Sequence, residues 1–276
     1  MESITTRTGL QLPKVGLGTW RMLGDDCTRL VEQALDLGYR HIDTATAYDN
    51  EAAVGKALAQ TAIPREQIHV TTKVWHDQLA PQAMRQSLDA SRKALGDDCL
   101  DLFLIHWPGN AAAGWSLERS VETLVALRDE GKARQIGVAN FNVALLQRAV
   151  VELGAPLAVV QVEYHVLLNQ QPVLDFARQH GMALTAYTPL ARGQGADTET
   201  VQRIAKKHGV LPSQIALGWV LEQDGVAAIP KSNSLVNQQA NLEALKVKLD
   251  DEDRAAIAAL RKDVRIVNPA FAPAWD

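Results

Sequence analysis

The chain has 276 residues, 47% of them hydrophobic, and a formal net charge of −4 at pH 7. This length and composition suit one α/β domain with a sizeable core. The mild negative charge gives no reason to expect nucleic acid or an acidic membrane surface as a partner, and no apolar run approaches the ~20 residues of a membrane span. Cys27 and Cys99 form no metal or redox motif. We therefore expect reduced thiols and a cytoplasmic protein.

Short β-branched runs alternate with amphipathic helical patterns along the chain. The predicted strands are Val15–Thr19, Arg40–Thr44, Ile68–Lys73, Leu100–His106, Gln135–Ala139, Ala158–Val162, Ala183–Tyr187 and Val226–Pro230. The predicted helices cover residues 25–38, 50–60, 80–95, 117–130, 143–153, 170–180, 197–208 and 212–223. Strand-then-helix units that recur about every 30 residues favour a (β/α)₈ TIM barrel over an open sheet. No linker divides the chain, which predicts a single domain over residues 1–276.

Four polar residues lie at the ends of three successive predicted strands. Asp43 lies near the end of the second strand and Tyr48 follows it, Lys73 ends the third, and His106 ends the fourth. Each residue alone has an ordinary structural interpretation, such as a loop-capping carboxylate or a packed core histidine. In a barrel, however, the carboxyl ends of the strands meet at one rim, and that rim carries the active site. The coincidence of all four residues there favours catalysis.

The roles of these four residues follow from their charges. A tyrosine titrates near ~10, so we expect Lys73 to lower the pKa of Tyr48 and thereby make it a proton donor to a carbonyl. Asp43 would keep Lys73 charged and oriented. His106 would donate a hydrogen bond to the carbonyl oxygen as negative charge develops on it. A Schiff-base role for Lys73, as in barrel aldolases, stays open as an alternative.

The common nucleotide-binding and metal-binding motifs are missing from the sequence. Gly16-Leu17-Gly18 follows only a short strand start, and Arg21 stands where the third glycine of G-x-G-x-x-G would fall. Neither a P-loop nor an H-E-x-x-H zinc helix occurs. We therefore predict no metal site, and any nucleotide must be bound in another way.

The chain resembles the aldo-keto reductases from near residue 4 to its C-terminus. The matching strings are Gly16-Leu17-Gly18-Thr19-Trp20, the segment 38–51, Thr72-Lys73-Val74-Trp75, the segment 101–108, Ile136-Gly137-Val138-Ala139-Asn140-Phe141, Gln161-Val162-Glu163-Tyr164-His165, Ala186-Tyr187-Thr188-Pro189-Leu190 and Ile229-Pro230-Lys231-Ser232. Within the family the whole chain, including residues 265–269 and 272–276, is most similar to bacterial reductases of 2,5-diketo-D-gluconate. Those enzymes also act on methylglyoxal and β-keto esters. The resemblance implies an oxidoreductase that reduces aldehydes and activated ketones to alcohols.

The resemblance also implies a catalytic tetrad of Asp43, Tyr48, Lys73 and His106, and an NADPH molecule extended across the rim. The residues that it assigns to the cofactor are Gly18, Thr19, Trp20, Asp43, Asn140, Gln161, Tyr187, Thr188, Leu190, Arg192, Gly193, Gly195, Lys231, Ser232, Asn233, Asn237 and Asn241. By this analogy Asn140 and Gln161 hold the carboxamide, and Tyr187 stacks on the nicotinamide. The loop 188–195 would cover the pyrophosphate, and the residues from Lys231 onward would hold the adenosine half.

Three positions depart from the family pattern. Ala139 replaces a serine before the carboxamide-binding Asn140, which removes one hydrogen bond worth about 0.5–1.5 kcal/mol. Asn237 stands where an arginine commonly packs against adenine and the 2′-phosphate, and Ala240 replaces a glutamate that touches the adenine amino group. Because a bidentate cation is lost while Lys231 remains as a point charge, we expect NADPH as the cofactor with NADH use possible.

The substrate pocket is predicted to be aromatic and open. Its expected lining is Trp20, Tyr48, Trp75, His106 and Trp107, with Trp115, Phe271 and Trp275 closing over the small residues 109–114 and with His76 and Arg265 available for a carboxylate. This lining favours small aldehydes and activated ketones such as 2-oxoaldehydes as partners. The family resemblance implies a monomer. A non-catalytic, NADPH-binding regulatory or scaffold barrel stays open as a second function.

Overall fold

The strands form a short hairpin and a closed parallel barrel. The computed structural model describes residues 2–110 and 115–276. Within those ranges, the antiparallel strands β1 (Ser3–Thr5) and β2 (Gln11–Pro13) precede eight parallel strands. The parallel strands are β3 (Leu17–Gly18), β4 (His41–Asp43), β5 (His69–Val74), β6 (Leu100–Ile105), β7 (Ala133–Ala139), β8 (Val159–Glu163), β9 (Ala183–Tyr187) and β10 (Val226–Ala228). Their order in the sheet follows the chain, and backbone hydrogen bonds of Lys14 and Gly16 with Ala228 join the two edges. The predicted (β/α)₈ barrel is confirmed.

Helices follow the strands and cover the outside of the barrel. They are α1 (Gly24–Leu37), α2 (Glu51–Gln60), α3 (Pro81–Leu95), α4 (Leu117–Asp129), α5 (Val143–Leu146), α6 (Gln171–Gln179), α7 (Glu199–His208), α8 (Pro212–Glu222), α9 (Leu235–Glu243) and α10 (Asp251–Ala258). Short 3₁₀ turns lie at Thr46–Tyr48, Arg65–Gln67, Ala191–Gly193 and Ala244–Lys246, and a π-helical segment at Gln147–Glu152 continues α5. None of the helices in the described part of the chain is long and apolar enough to cross a membrane.

Several elements differ from the sequence-based prediction. The first barrel strand is shorter than predicted, the helix predicted over 143–153 changes from α to π geometry, and the hairpin, α9 and α10 were not predicted. Both predicted helices 197–208 and 212–223 lie between β9 and β10, so α9 completes the last unit. Helix α9 was not predicted because it buries Gln238, Ala240 and Asn241 while Leu235 and Val236 are exposed. Its apolar residues therefore show only a weak helical period.

The core side chains form two layers, one inside the barrel and one between the strands and the helices. Along β6, Leu102 and Leu104 pack inside with Leu12 of the hairpin, whereas Phe103 and Ile105 belong to the larger core cluster with the surrounding helices. A continuous apolar run suits such a strand because both of its faces are covered. The hairpin packs on the inner layer and closes the N-terminal end of the barrel. The carboxyl ends of the strands, where the polar residues lie, form the open rim.

Candidate active site

The loop after β4 is held rigidly at the rim. β4 ends at Asp43, and a 3₁₀ turn at Thr46–Tyr48 turns the chain back over the barrel. Asn50 is buried beneath this turn, where its side chain accepts a hydrogen bond from Thr44 Oγ1 at 2.6 Å and donates one to Thr19 O at 2.9 Å. These contacts tie the loop to the residue that follows β3 and hold Asp43 and Tyr48 at the rim.

A buried ion pair lies under the tyrosine. Lys73 Nζ donates to Asp43 Oδ1 at 2.6 Å and to Thr44 O at 2.8 Å, and Gln161 Nε2 donates to Asp43 Oδ2 at 2.8 Å. The Lys73 nitrogen lies 5.0 Å from the centroid of the Tyr48 ring. Burial lowers the pKa of Lys73, and the charge of Asp43 opposes that shift. Because the ammonium is 0% exposed and held by two oxygen atoms, the geometry disfavours attack by Lys73 on a carbonyl.

His106 faces Tyr48 across the cavity. Their ring centroids are 5.6 Å apart at 76°, and the Trp75 ring lies 5.1 Å from His106 on another side. Burial and then the charge of Lys73 lower the pKa of His106 well below its ordinary value. The imidazole is therefore neutral near pH 7 and carries one N–H donor. A neutral donor opposite a phenol suits hydrogen bonding to a carbonyl oxygen.

The expected net direction of the Tyr48 pKa shift is wrong. The Lys73 cation, 5.0 Å from the ring centroid, favours the phenolate, but removal from water outweighs this effect and raises the pKa well above its ordinary value, and the proximity of Asp43 adds to the rise. The tyrosine favours its neutral form because ionisation would place another negative charge beside a buried carboxylate. Tyr48 therefore holds its proton through the neutral range.

Two amide side chains and a second tyrosine form the next part of the rim. Asn140 Nδ2 donates to His106 O at 2.9 Å, and Tyr187 Oη donates to Asn140 Oδ1 at 2.7 Å. The backbone N–H of Asn140 donates to Gln161 O, also at 2.9 Å. Asn140 has φ 62°, in the left-handed region that asparagine tolerates better than most residues. The ends of β7, β8 and β9 thus hold amides and a phenol beside the ion pair.

The loop after β9 is strained and reaches across the cavity. Thr188, Ala191 and Arg192 have φ between 49° and 53°, and Gly193 has φ 99°. Left-handed backbone is rare for residues with a Cβ and is concentrated at functional sites. The Arg192 guanidinium lies 5.5 Å from the centroid of the Trp20 ring, so this loop contacts the segment that follows β3.

The rim encloses a cavity of about 1100 Å³. It is bordered by most of the predicted site residues, namely Gly18, Thr19, Trp20, Asp43, Tyr48, Trp75, His106, Trp107, Asn140, Gln161, Tyr187, Thr188, Leu190, Arg192, Gly193 and Lys231. Lys73 lies beneath this lining and is completely buried. The structure thus brings together the four candidate catalytic residues and most of the candidate cofactor residues.

Five predicted cofactor residues lie away from the walls of this cavity. They are Gly195, Ser232, Asn233, Asn237 and Asn241. Gly195 packs against Val166 and Ala216, where an added Cβ would lie 3.0 Å from Val166. The other four continue outward from the end of β10 and along α9, and among them Asn233 and Asn237 are exposed. Their assignment to the cofactor stays a prediction.

The residues predicted to close the substrate end behave differently from one another. Phe271 lines the cavity, while Trp275, Trp115, His76 and Arg265 do not. Trp115 Nε1 donates a hydrogen bond to Ser120 Oγ at 2.9 Å. The His76 ring stacks on the Phe271 ring with centroids 4.2 Å apart. The Arg265 guanidinium lies 3.7 Å from the centroid of the Trp275 ring. These four side chains therefore do not border the cavity, and their predicted roles over the loop 109–114 and toward a carboxylate stay predictions. Most of the predicted loop 109–114 falls outside the described residues.

Sequence reasoning missed part of the lining. The missed residues are Thr46, Ala47, Pro189, Ile229, Pro230 and the tail residues Ile266, Val267, Asn268 and Pro269. The first five lie within strings that the family resemblance had already singled out, and their positions near strand ends were a usable signal. Residues 265–269 also belong to the resemblance, but their approach to the rim depends on contacts with distant parts of the chain.

Comparisons with known proteins agree with this fold. The model of the Aldo/keto reductase family matches residues 14–262. Methylglyoxal reductase DkgB of Salmonella typhi is 41% identical over 269 residues, which cover 97% of this chain and 100% of that protein. A crystal structure described as a 2,5-diketo-D-gluconic acid reductase B has a TM-score of 0.94 and 37% identity, with coverage of 100% of this chain and 98% of the other. A mutant of Gox0644 in complex with NADPH has a TM-score of 0.90 and 33% identity, with coverage of 97% and 96%.

Proposed function

The chain belongs to the aldo/keto reductase family, and we propose that it reduces aldehydes and activated ketones to alcohols with NADPH. The observation that carries this proposal is the buried Lys73–Asp43 pair beneath Tyr48, with neutral His106 across the cavity. Such an arrangement suits delivery of a proton to a carbonyl oxygen. Lys73 Nζ is held by Asp43 and Thr44 and is not free for imine chemistry.

The rim residues fit a nicotinamide cofactor. Asn140 and Gln161 present amide groups beside the ion pair, and Tyr187 offers a ring on the same side of the barrel. Arg192 and Lys231 line the cavity and supply positive charge for phosphate groups. Gly18 has no room for a side chain, because an added Cβ would lie 2.6 Å from Ile229 O. Glycine therefore permits the backbone at Gly18 to lie close to the backbone of Ile229. When bound, the reduced nicotinamide supplies the hydride.

The protein side of the reaction is proton delivery and charge stabilisation. Tyr48 keeps its proton because its pKa is raised, and it transfers that proton to the carbonyl oxygen as negative charge develops there. The nearby charge of Lys73 stabilises the phenolate that results. His106 donates a hydrogen bond to the same oxygen, which orients the carbonyl.

The substrate end of the cavity suits small carbonyl compounds. Trp20, Trp75, Trp107 and Phe271 supply apolar walls. We include methylglyoxal, 2,5-diketo-D-gluconate and β-keto esters among the candidate substrates, because relatives are named for the first two and the sequence resemblance implies the third. A cytoplasmic location, a monomeric state and a single domain stay predictions from the sequence.

The direct test is NADPH oxidation in the presence of methylglyoxal, diacetyl, nitrobenzaldehyde and a β-keto ester. We expect turnover with at least one of them. No oxidation with any of them, despite NADPH binding, would instead support the regulatory barrel. Borohydride trapping of a substrate adduct at Lys73 would support the Schiff-base lyase and refute the reductase.

The preference between NADPH and NADH depends on the departure at Asn237. This side chain is exposed on α9, where arginine would add a planar cation for the 2′-phosphate. We expect Asn237→Arg to raise the ratio of kcat/KM for NADPH over NADH by about tenfold, the effect of one charge-assisted hydrogen bond. Kinetics with varied cofactor concentration measure this ratio, and Gln239→Arg on the exposed part of the same helix is the control. An unchanged ratio in Asn237→Arg would show that this position does not contact the phosphate.

A further inference from the structure

The C-terminal tail forms one wall of the cavity. After α10 the chain runs beside the loop that follows β8, where Val264 N donates to Leu167 O at 3.0 Å. Residues 266–269 and Phe271 then line the cavity. The Phe271 ring contacts the rings of Trp75 and Trp107 at 5.8 and 5.5 Å. The position of the tail therefore determines the shape of the substrate end.

A single buried carboxylate holds the start of this wall. Glu163 is the last residue of β8 and is 0% exposed. Its Oε1 accepts from the backbone N–H of Ile266 at 2.7 Å, and its Oε2 accepts from that of Val267 at 2.8 Å. The His165 Nε2 atom lies 2.9 Å from Glu163 Oε1. Both oxygens of a carboxylate are thus used to hold two successive tail residues, which are themselves the first tail residues of the cavity wall.

The far end of the tail is attached independently. Asn142 Nδ2 donates to Ala274 O at 2.8 Å, and the carboxylate of Asp276 accepts from Val143 N at 3.0 Å. Trp275 Nε1 also donates to Asn268 Oδ1 at 2.9 Å. Loss of the Glu163 contacts would therefore release only the 266–267 end, and the tail would move while it stays attached elsewhere.

We propose that Glu163 is a positioning residue that sets the affinity for the carbonyl substrate by fixing the tail through its two backbone contacts. Residues two apart on a strand point to the same face, so Glu163 lies on the same side of β8 as Gln161, which holds Asp43. Strand β8 thereby supports the catalytic ion pair through Gln161 and the substrate wall through Glu163. Glu163 does not itself line the cavity and acts only through the tail. This inference rests on the proposed reductase function.

The key variant is Glu163→Gln, which has almost the same shape but points an N–H₂ group at a backbone N–H donor. Loss of a charge-assisted hydrogen bond is expected to raise KM for methylglyoxal by about tenfold, with kcat and the Kd for NADPH changed by less than about twofold. Glu152→Gln, at an exposed site, is the matched control and should leave all three values unchanged. Equal losses of kcat and of NADPH affinity would mean a general structural defect and would overturn the proposal, as would an unchanged KM.

A second measurement is independent of catalysis. Trypsin can cleave after Arg265. The scissile bond contains the N–H of Ile266, which donates a hydrogen bond to Glu163 Oε1. We expect faster release of peptide 266–276 from Glu163→Gln than from wild type, detected by mass spectrometry. Val267→Pro, which removes one donor from the tail side, should increase both the release rate and KM even if Glu163→Gln does not fold. Equal release rates in wild type and variants would refute the tail contact, whereas a wild type that reduces no carbonyl would refute only the proposed function.

Discussion

Replacement of Tyr48 by phenylalanine is expected to lower kcat by about 10²–10⁴-fold, the usual contribution of one general acid. The phenol is the group at the rim that faces His106 and lies over the buried ion pair, and it keeps its proton because its pKa is raised. Removal of the hydroxyl leaves the ring and its packing in place. The Kd for NADPH, measured by fluorescence titration, should therefore change by less than about twofold, since the lost interaction is made in the transition state.

Tyr164→Phe provides the matched control for this experiment. Tyr164 is also a largely buried tyrosine, but it packs against Trp219 and does not line the cavity. Its hydroxyl can be removed without any effect on proton delivery, so kcat should stay close to that of wild type. Unchanged turnover in Tyr48→Phe, measured by NADPH oxidation with methylglyoxal, would refute the assigned acid.

The pKa shifts of Tyr48 and His106 predict how kcat/KM depends on pH. Tyr48 has a raised pKa and stays protonated until high pH, while His106 has a lowered pKa and stays neutral until low pH. Both groups are thus in the required form throughout the neutral range. We expect kcat/KM to be flat there, and a steep change near pH 7 would contradict the assigned protonation states.

The sequence predicts which residues meet at the candidate active-site rim because strand ends leave a local pattern. Lys73 lies one residue before the end of a β-branched strand, and His106 follows a run of apolar residues that must be buried on both faces. Barrel geometry then places both residues at the same rim. The protonation state of Tyr48 could not be obtained in this way, because it depends on how much water the folded rim excludes.

Features that depend on distant contacts were not predictable. Glu163 appears in the sequence as one residue of a family string, yet its carboxylate binds backbone N–H groups of Ile266 and Val267 near the other end of the chain. Backbone donors exist at almost every residue, so no side-chain pattern marks them. Helix α9 was missed for a similar reason, since it buries polar side chains where the helix period predicts apolar ones.

The largest expected effect on stability comes from Lys73→Met. Methionine fills a similar volume but removes the cation, and the carboxylate of Asp43, which is buried, is left with Gln161 as its remaining side-chain donor. The breaking of a buried ion pair from one side typically costs about 3–5 kcal/mol in free energy of unfolding. Urea denaturation measures this loss. Activity should also disappear, because no cation remains to stabilise the phenolate of Tyr48.

Two further variants distinguish the effect of the buried charges on stability from their effect on activity. Lys56→Met breaks an ion pair with Asp25 that has the same kind of geometry, 2.8 Å, but is exposed to water, so its unfolding curve should stay close to that of wild type. The double variant Asp43→Asn/Lys73→Met removes both buried charges and should recover most of the stability lost in the single variant. It should remain inactive, because a neutral pair cannot stabilise a phenolate. Recovery of turnover in the double variant would show that the ion pair serves folding alone and would remove Lys73 from the proposed proton-delivery mechanism.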